Sequence, residues 1–237
     1  MQVRGVLFDL DDTLFDHNFA TIQALEHLCV EEPAFTCWPV EELRRRYSVL
    51  LEELHVGVLA GRLTIPEARY ERFRRLLSDA IRAPIDADRP TALSAFYRTA
   101  YETAWRAVPG AMPLLTALRA RGLQVGIVTN NIASEQRQKM RLCGMEPFVN
   151  ILITSEEIGV QKPEPAIFQA ALDAMALRAS ECVMVGDVWA TDIAGAIASG
   201  IRPLWYNWRG LESPDSSVAE VRSLEPTDRV TQTILGT

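Results

Sequence analysis

The chain has 237 residues, of which 48% are hydrophobic and 23% charged, an ordinary folded composition with material for one large or two small domains. Its net charge of −7 argues against a nucleic-acid or anionic-membrane surface, and no apolar stretch approaches transmembrane length. Cys29, Cys37, Cys143 and Cys182 show no paired spacing, so neither a zinc site nor a disulfide framework is expected, and the absence of a signal-peptide pattern before the first strand points to the cytoplasm.

The first element is the apolar run Val6-Leu7-Phe8, which runs into Asp9-Leu10-Asp11-Asp12-Thr13. Carboxylates this close repel one another and call for a cation. If the chain stays extended, Asp9, Asp11 and Thr13 share one side and Asp12 takes the other. That side suits a metal and a phosphoryl group; an acidic turn that only solvates the strand end accounts for these residues as well.

Strand-and-helix alternation then stops until about Pro109. Leu43, Tyr47, Leu50, Leu54 and Val58 form a helical stripe. Thr64-Ile65-Pro66-Glu67 is a capping box that opens a helix with Phe73, Leu76, Leu77, Ala80 and Ile81 on one face. A third stripe runs Leu93, Phe96, Tyr97, Ala100, Tyr101, Ala104, Trp105. Such helices bury their stripes on one another, so residues 18–106 are expected to form a helical bundle inserted into a domain built from 1–17 and 107–237. Arg44-Arg45-Arg46 and Arg74-Arg75 read as solvated faces of that bundle. His17, His27 and His55 have no metal-ligand spacing, although His17 follows the first acids closely enough to face a substrate.

From Pro109 the alternation resumes: a helix from Ala111 to Arg121 stopped by Gly122, a strand at Val125, a helix near Ser134 to Leu142 and a short run Ile151 to Thr154. A helix from Pro165 to Met175, the Val183 strand, a helix from Ala190 to Ser199 and a strand Pro203 to Tyr206 follow, and 218–235 adds one strand and one helix. The pattern predicts an α/β, doubly wound parallel sheet of Rossmann-like type.

Polar residues collect where these strands end. Val125 to Val128 leads into Thr129-Asn130-Asn131; Lys162 precedes a helix whose first turn Pro163 would suit; Cys182 to Gly186 leads into Asp187, with Asp192 in the next helix. Thr129 alone could be a helix cap, and Asp192 alone could be an acid favoured by the helix dipole. Of 24 basic residues other than histidine only Lys139 and Lys162 are lysine; the use at 162 reads as chosen for a compact point charge, and that at 139 as generic. Trp189 lines a site entrance or packs a helix start, with equal support.

Asp9-x-Asp11-x-Thr13, Thr129, Lys162 and Asp187-x4-Asp192, in this order, resemble the four motifs of the haloacid dehalogenase superfamily, in particular its phosphatases with an inserted helical cap. The resemblance covers residues 1–18 and about 107–207. It implies Asp9 as nucleophile, Asp11 as general acid and base, Thr129, Asn130 and Lys162 as phosphate binders, and Lys162 also as a catalytic cation. It further implies Asp9, Asp187 and a carbonyl near Asp11 as Mg2+ ligands, with Thr13 and Asp192 in support and the bundle as a cap over the site.

The chemistry follows from the residue types. A carboxylate nucleophile divides ester hydrolysis into two steps through an aspartyl-phosphate, and phosphoryl transfer needs chiefly positioning and charge neutralisation. The expected activity is magnesium-dependent hydrolysis of a small phosphate monoester by a monomer or homodimer. Residues 8–15, Arg72-Phe73 and 160–163 are most similar to the nucleoside 5′-monophosphatase and acylneuraminate-9-phosphatase branch. Nucleoside monophosphates therefore rank first as substrates, other sugar phosphates second and flavin mononucleotide third. The alternatives are a phosphomutase, a haloacid dehalogenase, which needs neither Asp11 nor metal, and a non-catalytic phospho-ligand-binding module.

Overall fold

The β-branched and leucine-rich runs form parallel strands, β1 (Gly5–Phe8), β2 (Gln124–Thr129), β3 (Ile151–Thr154), β4 (Cys182–Gly186), β5 (Arg202–Tyr206) and β6 (Ala219–Val221). The computed structural model describes residues 2–81 and 83–236; within them these strands make one sheet, ordered β3-β2-β1-β4-β5-β6, with every pair parallel. All four residues of β1 and all five of β4 are buried, as parallel strands covered on both faces must be. Leu7 joins Val128, Ile167, Phe168 and Met184 in one core layer, and strand alternation turns Val6 and Phe8, equally buried, to the other face.

The helices of this unit are α5 (Ala111–Ala120), α6 (Ala133–Leu142), the single turn α7 (Ser155–Ile158), α8 (Pro165–Met175), α9 (Ala194–Ala198) and α10 (Thr227–Leu235). The tail thus supplies the expected strand and helix. Two local expectations change. Pro165, not Pro163, opens α8, with Glu164 at its N-cap. The helix expected from Ala190 begins instead as a five-residue π-turn, Trp189–Ile193, and becomes regular only at Ala194.

The chain separates into two units, Met1–Asp16 with Arg106–Thr237, and His17–Trp105. The second holds α1 (His17–Glu31), α2 (Val40–Leu59), α3 (Ile65–Ala80) and α4 (Arg89–Thr103). Its centre is aromatic: the Tyr97 ring lies tilted 4.7 Å from Tyr47 and 5.7 Å from Phe73, centroid to centroid. The buried Arg72 lies 4.9 Å from the Tyr47 ring centre and donates to the Tyr47 hydroxyl at 2.7 Å. The capping box at Thr64 forms as its sequence requires. Phe96 departs from its stripe and is 36% exposed, while Leu93, Tyr97 and Tyr101, at strict spacing of four, carry the buried face. The arginine runs are surface ion pairs: Arg44 with Glu41, Arg45 and Arg46 with Glu42, Arg74 and Arg75 with Glu71.

Candidate active site

Strand order reverses at β1, whose neighbours are β2 on one side and β4 on the other. Open parallel sheets bind ligands in the crevice beyond the carboxyl ends at such a point. Asp9 leaves β1 with its N–H donated to the Val185 carbonyl at 2.9 Å, and β2 and β4 deliver Thr129 and Asp187 to the same edge.

Beyond Asp9 the chain does not stay extended, so the alternation argument fails there. The N–H groups of Leu14 and Phe15 both reach the Leu10 carbonyl, at 2.9 and 2.8 Å, and Asp12 donates to the Phe15 carbonyl at 2.7 Å. Asp12 takes a left-handed φ of 62°, a conformation that a short polar side chain tolerates. Thr13 is fully buried, its hydroxyl without a hydrogen-bond partner.

Lys162 bridges two acids: its Nζ lies 2.7 Å from Asp9 Oδ1 and 2.7 Å from Asp192 Oδ1. All three side chains are at least nine-tenths buried. Burial works against the ammonium charge, but Asp192 and Asp9 outweigh it and raise its pKa. The lysine backbone is fixed in turn by Asn130, which accepts from its N–H at 2.7 Å and donates to its carbonyl at 2.9 Å. The side chain of Asn130, expected to bind phosphate, is thus directed at the Lys162 loop.

Asp192 also accepts from the Val188 N–H at 3.0 Å through Oδ2. The π-turn brings it so close to the strand end that a Cβ on Gly186 would lie 2.4 Å from Asp192 Cβ. That approach explains glycine before Asp187.

Asp9, Asp187 and Asp192 place carboxylate oxygens within 4.8 Å of one another, all buried. Asp187 Oδ2 receives the Arg209 guanidinium at 2.6 Å and the Trp208 indole at 3.3 Å, whereas Oδ1 is buried with no hydrogen-bond partner. Burial, then Asp192, push the Asp187 carboxyl up to about 7 against the pull of Arg209. Asp9 is raised well above the usual carboxylate range by burial, which outweighs Lys162, and further by Asp192 and Asp187. An orphaned carboxylate oxygen among acids that resist ionisation is what a hard cation satisfies, and an all-oxygen donor set suits Mg2+. The third acid of this cluster is Asp192; the carboxylate of Asp11 lies outside it.

Asp11 faces a different set of partners. Lys139 Nζ lies 2.7 Å from its Oδ1, and Gln136 and Asn131 donate to its Oδ2 at 2.7 and 3.2 Å. Lys139, expected to be generic, is 1% exposed and also pairs with Glu135 at 3.2 Å. Burial opposes its charge, and Asp11 and Glu135 overcome that and raise its pKa. Gln136 donates as well to the Thr129 hydroxyl at 3.1 Å, which leaves the threonine proton for an incoming oxygen.

Sequence reasoning missed Gln136, Lys139, Trp208 and Arg209. Signals existed for the first two: Ala133, Gln136, Lys139 and Met140 all fall on the buried face of α6. Trp189 packs edge-on against Trp205, centroids 5.0 Å apart. His17 bonds the Tyr101 hydroxyl at 2.7 Å within the helical unit.

Comparison with known proteins agrees with this geometry. Residues 3–200 match the haloacid dehalogenase-like hydrolase family model. The chain is 30% identical over 217 residues, 91% of each protein, to the pyrimidine 5′-nucleotidase YjjG of Escherichia coli K12. It is 31% identical to a ribulose-1,5-bisphosphate 5-phosphatase of Halopiger xanaduensis over 95% of this chain and 92% of that one. Among solved structures, the magnesium-bound HAD-hydrolase YfnB of Bacillus subtilis superposes with a TM-score of 0.77 at 26% identity, covering both chains fully. A 2-haloacid dehalogenase of Pseudomonas syringae gives 0.62 at 30% identity, over 98% of this chain and 99% of that one. A doubly wound sheet that sets Asp9, Lys162, Asp187 and Asp192 at its switch point, together with a family match over most of the chain, makes this protein a member of the haloacid dehalogenase-like hydrolases.

Proposed function

We propose that the protein hydrolyses small phosphate monoesters through an aspartyl-phosphate on Asp9, with Mg2+ held by Asp9 and Asp187. The observation that carries this reading is the buried pair of Asp9 and Lys162 at 2.7 Å beside the unsatisfied Asp187 Oδ1. Relatives named as phosphatases and a nucleotidase support the substrate class.

Lys162 and the Thr129 hydroxyl would neutralise and orient the phosphoryl oxygens. Asp9 attacks phosphorus, and Asp11 delivers a proton to the departing alkoxide, then takes one from the water that releases phosphate. Bound Mg2+ supplies charge neutralisation at the phosphoryl group. Asp192 holds Lys162, and Asn130 holds the loop that carries it. All these residues belong to the unit of 1–16 and 106–237, which we assign as catalytic. A carbon–halogen hydrolase needs the nucleophile Asp9 but neither Asp11 nor a metal, so the retention of Asp11 and Asp187 favours the phosphatase reading. Nucleoside monophosphates rank first as substrates, then other sugar phosphates.

The test is a panel of phosphate esters assayed for phosphate release with Mg2+, with Asp11→Asn run beside the parent. In that variant an ester whose leaving group needs no proton should still label Asp9, and hydrolysis of the phosphoenzyme should stall. General acid–base help is worth about 100- to 10,000-fold, enough for quenched protein to show one added phosphate on the peptide bearing Asp9. No phosphate release from any ester by the parent, or label on another residue, defeats the proposal.

A further inference from the structure

Both lysines of the chain sit on acids of the first motif, Lys162 on Asp9 and Lys139 on Asp11. The second pair is not explained by the scheme above. Lys139 reaches Asp11 from α6, with its ammonium 4.8 Å from the centre of the Phe15 ring and its side chain 1% exposed. Burying a lysine is costly unless its charge is matched, and α6 has exposed positions that would have accepted one. The neighbouring Gln136 is fully buried as well, and it spans Asp11 Oδ2 and the Thr129 hydroxyl.

We propose that Lys139, with Gln136 and Asn131, forms a positioning clamp on Asp11 that fixes its carboxyl group for proton delivery to the leaving group. Three donors from β2's end and α6 bind both carboxylate oxygens, one to Oδ1 and two to Oδ2. A carboxylate on a single methylene otherwise turns about two side-chain torsions; donors on both oxygens remove that freedom. Gln136 extends the same restraint to Thr129, so the groups assigned to the proton and to the phosphoryl oxygens are set by one helix face. A misplacement of about 1 Å can cost about 100-fold in rate, so the clamp bears on turnover and not on binding. This inference rests on the phosphatase reading and assigns roles to residues which that reading leaves idle.

The test compares the parent with Lys139→Met, which keeps length and packing and removes the donor, on two aryl phosphates: phenyl phosphate, whose leaving group needs a proton, and 2,4-dinitrophenyl phosphate, whose leaving group does not. The expected result is a loss of about tenfold or more in kcat/KM on phenyl phosphate, less than threefold on the dinitrophenyl ester, and unchanged inhibition by inorganic phosphate. An equal loss on both esters makes Lys139 a packing or phosphate-binding residue and overturns the proposal. Faster turnover of phenyl phosphate also overturns it, because the lysine would then be holding Asp11 away from the reaction. Should Lys139→Met lose its cooperative melting transition, Asn131→Ala decides: the ratio of the two kcat/KM values must shift in the same direction by about threefold, and an unchanged ratio refutes the clamp. A parent inactive on both esters defeats the phosphatase reading itself, whereas an active parent with an unselective variant defeats the clamp alone.

Discussion

The acids at the strand ends make the metal-free protein less stable as pH rises. Burial and Asp192 raise Asp187 from the usual 3.8 to about 7, and Asp9 is displaced in the same direction. A carboxyl whose folded pKa exceeds its unfolded one is bound by protons more tightly in the folded state. Its contribution is complete below about pH 4 and lost as pH climbs to about 7. For Asp187 the whole rise is equivalent to about 4 kcal/mol, of which about 3 kcal/mol falls between pH 5 and pH 8. In a chain of this size that is roughly 6–12 °C of melting temperature. The carboxylates Glu42, Glu71 and Glu181, which arginines hold at about 2, titrate below this window and leave the trend visible. Thermal unfolding followed by circular dichroism in excess chelator, at pH 5 and at pH 8, reads the effect directly. Asp187→Asn should flatten the slope, and Mg2+ should raise the melting temperature more at pH 8 than at pH 5. A chelated parent that melts higher at pH 8, or an Asp187→Asn slope equal to the parent's, would refute the account of a strained acid cluster awaiting a cation.

Asp9→Asn should form no phosphoenzyme with any ester, as mass spectrometry of quenched protein would show. Arg209→Ala frees Asp187 Oδ2 from its 2.6 Å ion pair; the Mg2+ concentration that half-saturates the change in tryptophan fluorescence should fall severalfold, and a rise would mean that Arg209 assists the cation. Gly186→Ala places a methyl where Asp192 now stands, so it should destabilise the fold by about 1–3 kcal/mol and depress turnover, both measurable on the purified variant.

The central strands are legible because they are buried on both faces and so read as continuous apolar runs: Val125 to Val128 and Cys182 to Val185 announce themselves without any partner. Phe96 falls outside its stripe because helical periodicity admits both i+3 and i+4 neighbours, and packing keeps only the spacing of four through Leu93, Tyr97 and Tyr101. The π-turn at Trp189–Ile193 leaves no mark in hydrophobic periodicity. It arises from a tertiary demand, the bonding of Asp192 to both Lys162 and the Val188 N–H, which local propensity cannot express.

The candidate site divides along the same line. Asp9, Thr129, Lys162, Asp187 and Asp192 could be named from sequence because each follows an apolar run and shares a motif spacing. Gln136, Lys139 and Arg209 belong to no such pattern, since what makes them matter is the acid they meet, and those acids lie 125, 128 and 22 residues away in the chain. Residue usage carried a fainter signal. A chain that uses arginine nearly everywhere and lysine at two positions has reserved the compact ammonium for some purpose. Arginine's planar fork needs space for five donors, whereas a buried pocket between two carboxylates admits a compact point charge. Both lysines occupy such pockets, at 1% and 2% exposure. The scarcity of lysine marks Lys139 as a chosen point charge as much as Lys162, and the composition, with lysine at these two positions, already displays that symmetry.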